Sequence, residues 1–220
     1  MKNKFLITCC LFLLIGVSEI SAQAFSKGYI RYTPTTVETS DLRLKTMLTG
    51  STFDVYFSSN RQKVDVKMMD ESVRFQFIAD SYMETGMMLT EGLVGKLMVK
   101  SSRQETKQEI AMPKYTITYD KNDRKKIAGY DCYKATLDFG KEKMVAYVTD
   151  KIKPDLSFLE DIIEEMIAFP LEMQVNVDGN QVVFTAESVS KSFSQSVFSP
   201  DTAGYKELTP DEIEQTFNKF

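Results

Sequence analysis

The sequence predicts a mainly β (α+β) domain: short antiparallel strands folded as a sandwich or a barrel, with a few short helices. Three observations carry this. Apolar and polar residues alternate with period two in segment after segment, as where Phe53, Val55 and Phe57 alternate with Asp54 and Tyr56, the pattern of a strand with one face on a core. Polar turn residues separate these segments, and Asp178-Gly179 between two of them is among the strongest local hairpin signals. A pronounced helical period of 3.6 occurs in one stretch only, around residues 157–168.

The chain opens with a leader. Lys2 and Lys4 precede an apolar run from Phe5 to Val17, and small residues follow at Ser21, Ala22 and Ala24. That order reads as a secretory signal peptide over residues 1–24, cut after Ala22 or after Ala24. The run falls short of the roughly 20 residues a membrane helix needs, so the leader predicts export and no transmembrane anchor. Cys9 and Cys10 lie inside the run, which argues against a lipid-modified cysteine at the mature start. Residues 25–220 have the length of one domain.

Gly28 to Thr33 reads as the first strand, with Pro34 ending it or marking an edge. Ser40 is placed to cap a short helix through Leu48, and Gly50 follows it. The turn Ser58-Ser59-Asn60 joins the Phe53–Phe57 strand to one in which Val64, Val66 and Met68 alternate with charged residues. Val73, Phe75, Phe77 and Ala79 repeat the pattern, and Met87–Thr90 with Lys96–Val99 make a further pair. Tyr115, Ile117 and Tyr119 form a strand that ends in a charged turn, Asp120 to Lys126. Tyr133, Ala135, Leu137 and Phe139 alternate in the next, and Met144–Thr149 follows. The helix at 157–168 begins with a capping box, Ser157 and Glu160, and carries an apolar stripe of Phe158, Leu159, Ile162, Ile163, Met166 and Ile167. Leu171–Val177 and Val182–Val189 flank Asp178-Gly179. A last short helix starts at Thr209, with Pro210 at its first position and Glu212 completing a second capping box.

Composition excludes several classes. The chain is 43% hydrophobic and 11% aromatic, enough for a sizeable core, and carries a formal charge of −4. An acidic balance without a long basic block makes nucleic acid a poor partner. Histidine is absent, which removes the usual Ser-His-Asp and Cys-His arrangements and most zinc sites. Cys132 is the one mature cysteine, so no internal disulfide framework exists.

The remaining candidates read as structure. Asp120, Asn122 and Asp123 resemble the opening of a calcium loop, but Arg124, Lys125 and Lys126 follow and would repel a cation. Glu160, Asp161, Glu164 and Glu165 make a solvated helix face. Cys132 shares a strand parity with Lys134, opposite the apolar set, and is either a packed side chain or a thiol activated by lysine. Eleven of the 12 methionines lie beyond the leader, suited either to a permissive apolar cavity or to a plain core. Neither a catalytic set, a metal site nor a cofactor site is expected.

Three segments carry a family resemblance. Lys126-Ile127-Ala128-Gly129-Tyr130-Asp131-Cys132-Tyr133-Lys134-Ala135 resembles the I-x-G-Y-x-C-x-K-A segment of the exported Gram-negative proteins called domain of unknown function 4412, related to the GLPGLI family. Gly28-Tyr29-Ile30-Arg31-Tyr32 is similar to their opening strand. Val197-Phe198-Ser199-Pro200 with Gly204-Tyr205-Lys206 is similar to their closing region. The GLPGLI motif itself is absent, its place taken by Ile167-Ala168-Phe169-Pro170-Leu171. The resemblance implies a fold similar to the periplasmic lipoprotein carriers (LolA/LolB-like): an incomplete antiparallel β-barrel around an apolar cavity, partly covered by short helices. It implies apolar-ligand binding rather than catalysis.

The expectation is therefore an exported, non-catalytic carrier for a lipid or lipoprotein acyl chain, in the periplasm or beyond it. Phe75, Phe77 and Leu137 would line the concave side, and Phe158, Ile162, Ile163 and Met166 would close it as a lid. The alternative is an envelope protein-interaction module with a filled core. The leader predicts an exported form that starts at Gln23 or Phe25 in intact-mass analysis; retention of residues 1–22 would overturn it.

Overall fold

Alternating side chains set twelve strands into a single sheet. The structure, a computed structural model, describes residues 24–92, 95–102, 115–140, 142–154, 168–177 and 179–217. The strands are β1 (Gly28–Glu38), β2 (Thr52–Phe57), β3 (Arg61–Met68), β4 (Val73–Asp80), β5 (Thr85–Glu91), β6 (Leu97–Ser102), β7 (Thr116–Ile127), β8 (Tyr130–Asp138), β9 (Lys143–Thr149), β10 (Phe169–Val177), β11 (Asn180–Ser190) and β12 (Lys206–Glu207). The described helices are α1 (Leu42–Leu48) and α2 (Pro210–Phe217), with a 3₁₀ turn at Gln195–Phe198. The strand order is β12-β6-β5-β4-β3-β2-β1-β11-β10-β9-β8-β7. Every pairing is antiparallel except β12 on β6. The sheet does not close, so the fold is the expected incomplete β-barrel.

Register makes the core. Ile30 lies opposite Val55, Val55 opposite Val64, and Val64 opposite Phe77; one row along, Tyr32, Phe53, Val66 and Phe75 are aligned. In the other half Phe184, Met173, Ala146 and Ala135 form the matching row. The two halves meet through Phe53 and Phe184 (ring centroids 4.7 Å) and Phe57 and Phe169 (5.8 Å). Each large apolar side chain enclosed this way contributes about 1.5–3 kcal/mol. The buried Tyr32 hydroxyl donates to the Pro170 carbonyl at 2.6 Å, so its burial leaves no unpaired donor.

Of the local expectations, one is narrowed and two are corrected. Pro34 does not end β1, which runs on to Glu38, but it does lie at an edge: β2 pairs with β1 only from Gly28 to Tyr32, so beyond Tyr32 β11 is the one strand paired with β1 among the described residues. The β1–β11 register slips between Pro34 and Thr36, and the Thr35 hydroxyl donates to the Val183 carbonyl (3.3 Å). Asp120 to Lys126 is not a turn. β7 runs through it with a bulge between Asp120 and Arg124, and the Asp120 carboxylate accepts from the Asn122 and Asp123 amides. The true hairpin turn is Ala128-Gly129, both residues left-handed (φ 47° and 86°), the geometry of a two-residue type I′ loop. α1 is capped by Asp41, which accepts from the Arg43 and Leu44 amides, rather than by Ser40.

Other expectations are met. Val177 pairs with Asn180 around Asp178-Gly179, and Thr209 and Glu212 form the capping box of α2: the Thr209 amide donates to the Glu212 carboxylate (2.8 Å) and the Glu212 amide to the Thr209 hydroxyl (3.3 Å). The leader expected before Ala24 and the helix expected at 157–168, apart from Ala168, lie outside the described residues. No described helix is long and apolar enough to cross a membrane.

Gly28 is fixed by space. A Cβ there would lie 2.7 Å from the Phe57 ring and 2.8 Å from that of Phe25, two rings packed face to face with centroids 6.1 Å apart. Gly28→Ala is expected to cost about 1–3 kcal/mol by overpacking, read as a lower urea midpoint; an unchanged midpoint would show that the two rings can yield.

Candidate functional site

The sheet has two faces with different chemistry. The inner face holds the core and the residues expected to line a ligand cavity. Phe75 and Leu137 are buried in one apolar cluster, Leu137 completely, and Phe77 is half-buried against it. The structure therefore brings these three together. Phe158, Ile162, Ile163 and Met166 lie outside the described residues. Half-buried apolar side chains continue along the inner face beyond Phe77: Ala79 on β4, Ile117 and Tyr119 on β7, Tyr133 on β8 and Val175 on β10.

Cys132 joins this core, 1% exposed, instead of facing outward with Lys134. Along β8 the buried positions are Cys132, Ala135 and Leu137, so the alternation slips by one residue opposite the β7 bulge. Burial pushes the thiol up to about 12; it is a packed side chain with no activated form at neutral pH.

The outer face of β1–β5 carries a buried ionic network that alternation alone reads as solvated. Asp54 and Asp65 stand directly opposite each other on β2 and β3, a repulsive arrangement by itself. Each is met by its own guanidinium in a two-pronged contact: Arg31 on Asp54 (2.8 and 2.9 Å) and Arg74 on Asp65 (2.7 and 2.6 Å). Tyr29 donates to Asp54 at 3.0 Å; burial first, then the carboxylate charge, holds its phenol above the ordinary value. Lys63, 4% exposed, donates to Gln76 (2.6 Å) and the Val197 carbonyl (3.2 Å) and pairs with Asp65 at 3.4 Å. Burial lowers its pKa more than Asp65 raises it.

A C-terminal strap covers this network. Leaving β11, it sets Phe193 edge-on to Tyr56 of β2 (5.5 Å) and Phe198 under the Arg61 guanidinium at the start of β3 (5.0 Å). It then brings the Tyr205 hydroxyl onto Glu91 of β5 and pairs β12 with β6. Leu208, just before α2, and Ile213 of α2 finally pack with Leu97 and Val99 of β6. Sequence reasoning missed this set; the aromatic residues Phe193, Phe198 and Tyr205 in a stretch without strand alternation were the available signal.

Beside the end of the strap lies a cleft of ≈ 490 Å³. Lys67 and Arg74 form its floor, and the β3–β4 and β5–β6 turns supply Glu71, Ser72, Glu91, Gly92, Gly95 and Lys96. The turns press backbone to backbone: a Cβ on Gly92, itself at φ 127°, would lie 2.7 Å from the Ser72 carbonyl oxygen. Among the described residues no group of three or more His, Cys, Asp or Glu side chains is arranged to hold a metal ion.

Comparison with protein-family models finds no match, and comparison with curated proteins finds none either.

The network makes a contrasting pair of expectations. Asp65→Ala strips Arg74 and Lys63 of their shared carboxylate and should cost about 3–5 kcal/mol. Lys63→Met leaves the Gln76 and Val197 oxygens without their donor but leaves Asp65 its guanidinium, so the loss should be smaller, about 1–3 kcal/mol. Urea denaturation of both variants tests this, and equal losses would overturn Asp65 as the centre of the network.

Proposed function

We propose that the protein is an exported, non-catalytic binding or carrier protein for an apolar ligand, such as a lipid or a lipoprotein acyl chain. One observation carries the reading: the inner face of an open sheet continues past its packed core as half-buried Phe77, Ala79, Ile117, Tyr133 and Val175. An apolar surface at the mouth of an incomplete barrel suits a ligand that is itself apolar. The leader and the resemblance to domain of unknown function 4412 support an envelope location, in the periplasm or beyond it.

A second reading has an observation of its own. Leu137 and Phe75 are enclosed rather than lining open space, which favours a filled core and an envelope protein partner. Uptake of a fluorescent fatty acid separates the two. The carrier reading expects saturable uptake by the mature protein, weakened about tenfold or more by Phe77→Asp, which sets a charge on the apolar surface, with the melting temperature followed alongside. Absence of uptake by the unaltered protein, together with organic extracts free of lipid by mass spectrometry, would favour the filled-core reading.

A further inference from the structure

The cleft on the outer face belongs to neither reading. Its floor is a pair of cations: Lys67 and Arg74 are direct cross-strand partners on β3 and β4, an arrangement that repels unless an anion lies beside it. Glu91 follows Arg74 in the same row on β5. Arg74 spends Nε and Nη2 on Asp65 beneath it. Its Nη1 has no hydrogen-bond partner among the described residues, although the side chain remains 35% exposed. Among the described residues Lys67 pairs with the exposed Glu71 of its own turn alone, at 2.9 Å. Lys96, more than half exposed, holds Glu91 loosely at 3.9 Å, and Glu91 already accepts from Tyr205.

The β3–β4 wall is built to hold its shape. Met69, Asp70 and Glu71 are three successive left-handed residues (φ 54°, 52° and 66°), a conformation that non-glycine residues adopt singly and that persists where the surroundings impose it. The Met69 amide is tied to the Met47 carbonyl at the end of α1 (3.4 Å), and Ser72 closes the turn on the Met69 carbonyl (3.1 Å). Gly92 lies close to Ser72 of this wall, where a Cβ would come within 2.7 Å of the Ser72 carbonyl oxygen.

We propose that this cleft binds a small oxyanion, a phosphate or a carboxylate, on the unused edge of Arg74 between Lys67 and Lys96. The guanidinium offers the planar donor edge that oxyanions accept, and the two ammonium groups add charge from either side. The anion would displace the exposed Glu71 from Lys67, so Glu71 acts as its competitor.

Calorimetric titration of the mature protein with inorganic phosphate and, separately, with citrate tests the site. Saturable one-site binding that weakens with added sodium chloride is expected, and the tighter of the two probes identifies the preferred oxyanion. Lys67→Gln and Lys96→Gln should each weaken it about fivefold, as expected for exposed charge contacts, whereas Glu71→Gln should strengthen it. Arg74 is left intact because its loss would strand Asp65. Failure of both probes to saturate would overturn the proposal, as would affinities unmoved by all three variants in proteins that melt like the parent. The apolar-ligand reading concerns the opposite face, and its uptake assay stands or falls separately.

Discussion

β1 and β11 lie far apart in the sequence, and their ladder, from Tyr29 opposite Ser190 to Glu38 opposite Gln181, joins the two meanders by hydrogen bonds. Without it, β2–β6 and β7–β10 would be two curved sheets, each exposing half of an apolar face. The rings that meet across the interior, Phe53 with Phe184 and Phe57 with Phe169, belong to opposite halves. Closing so long a loop costs little more entropy than closing a moderate one, because the cost grows only with the logarithm of length. It does delay the reward, since pairing at high sequence separation forms slowly. Pro34 and Thr35 sit inside this ladder, in the part of β1 that β2 does not reach, where a missing N–H on the far side of the strand interrupts no pairing with β2.

The same ladder aims the C-terminal strap. β11 ends beside the start of β1, so the chain emerges at the outer face of β1 and β2 and crosses β3 and β5 before joining β6. The strap is what turns a polar outer face into a buried one. Under it, Asp54 and Asp65 can stand opposite each other only because Arg31 and Arg74 bind them in parallel. An apolar face in this position would offer the strap adhesion with little register. Charged pairs with fixed geometry make a shifted strap costly, since it would leave Lys63 without its Val197 carbonyl.

Much of the fold was legible because period-two alternation survives wherever one face meets a core: β2 to β5, the Asp178-Gly179 hairpin and the capping box at Thr209 all read directly. The corrections on β7 and β8 share a cause. The Asp120–Arg124 bulge and the slip at Cys132 are places where a strand gains or loses register, and single-chain alternation carries no information about the neighbouring strand. Polar residues on alternating positions also look solvated until something covers them, so Lys63 and Asp65 could not be told from Lys134 and Asp138. For the candidate sites, the apolar trio Phe75, Phe77 and Leu137 was within reach because parity alone puts such residues inside. The outer cleft was not, since Lys67, Arg74 and Lys96 come together only through strand pairing and two packed turns.

The segments that carry the family resemblance fall on the parts of the molecule that hold it closed. Gly28 to Tyr32 supplies the start of the β1 seam, with Gly28 making room for Phe25 and Phe57 and Arg31 anchoring Asp54. Ile127 to Cys132 turns through a left-handed pair and returns two buried side chains to the core, with Tyr130 lying 6.2 Å from the Phe25 ring. Phe198 and Tyr205 fasten the strap. Every one of these roles is a matter of space, turn geometry or register. The ends of the sheet follow the same logic. β12 and α2 cover one edge strand, while β7 at the other end carries a bulge and the cations Lys121, Arg124, Lys125 and Lys126, devices that discourage another chain from adding to an open sheet. An incomplete barrel keeps its opening only if its edges stay unavailable, and here the strap that buries the ionic network also protects the edge at β6.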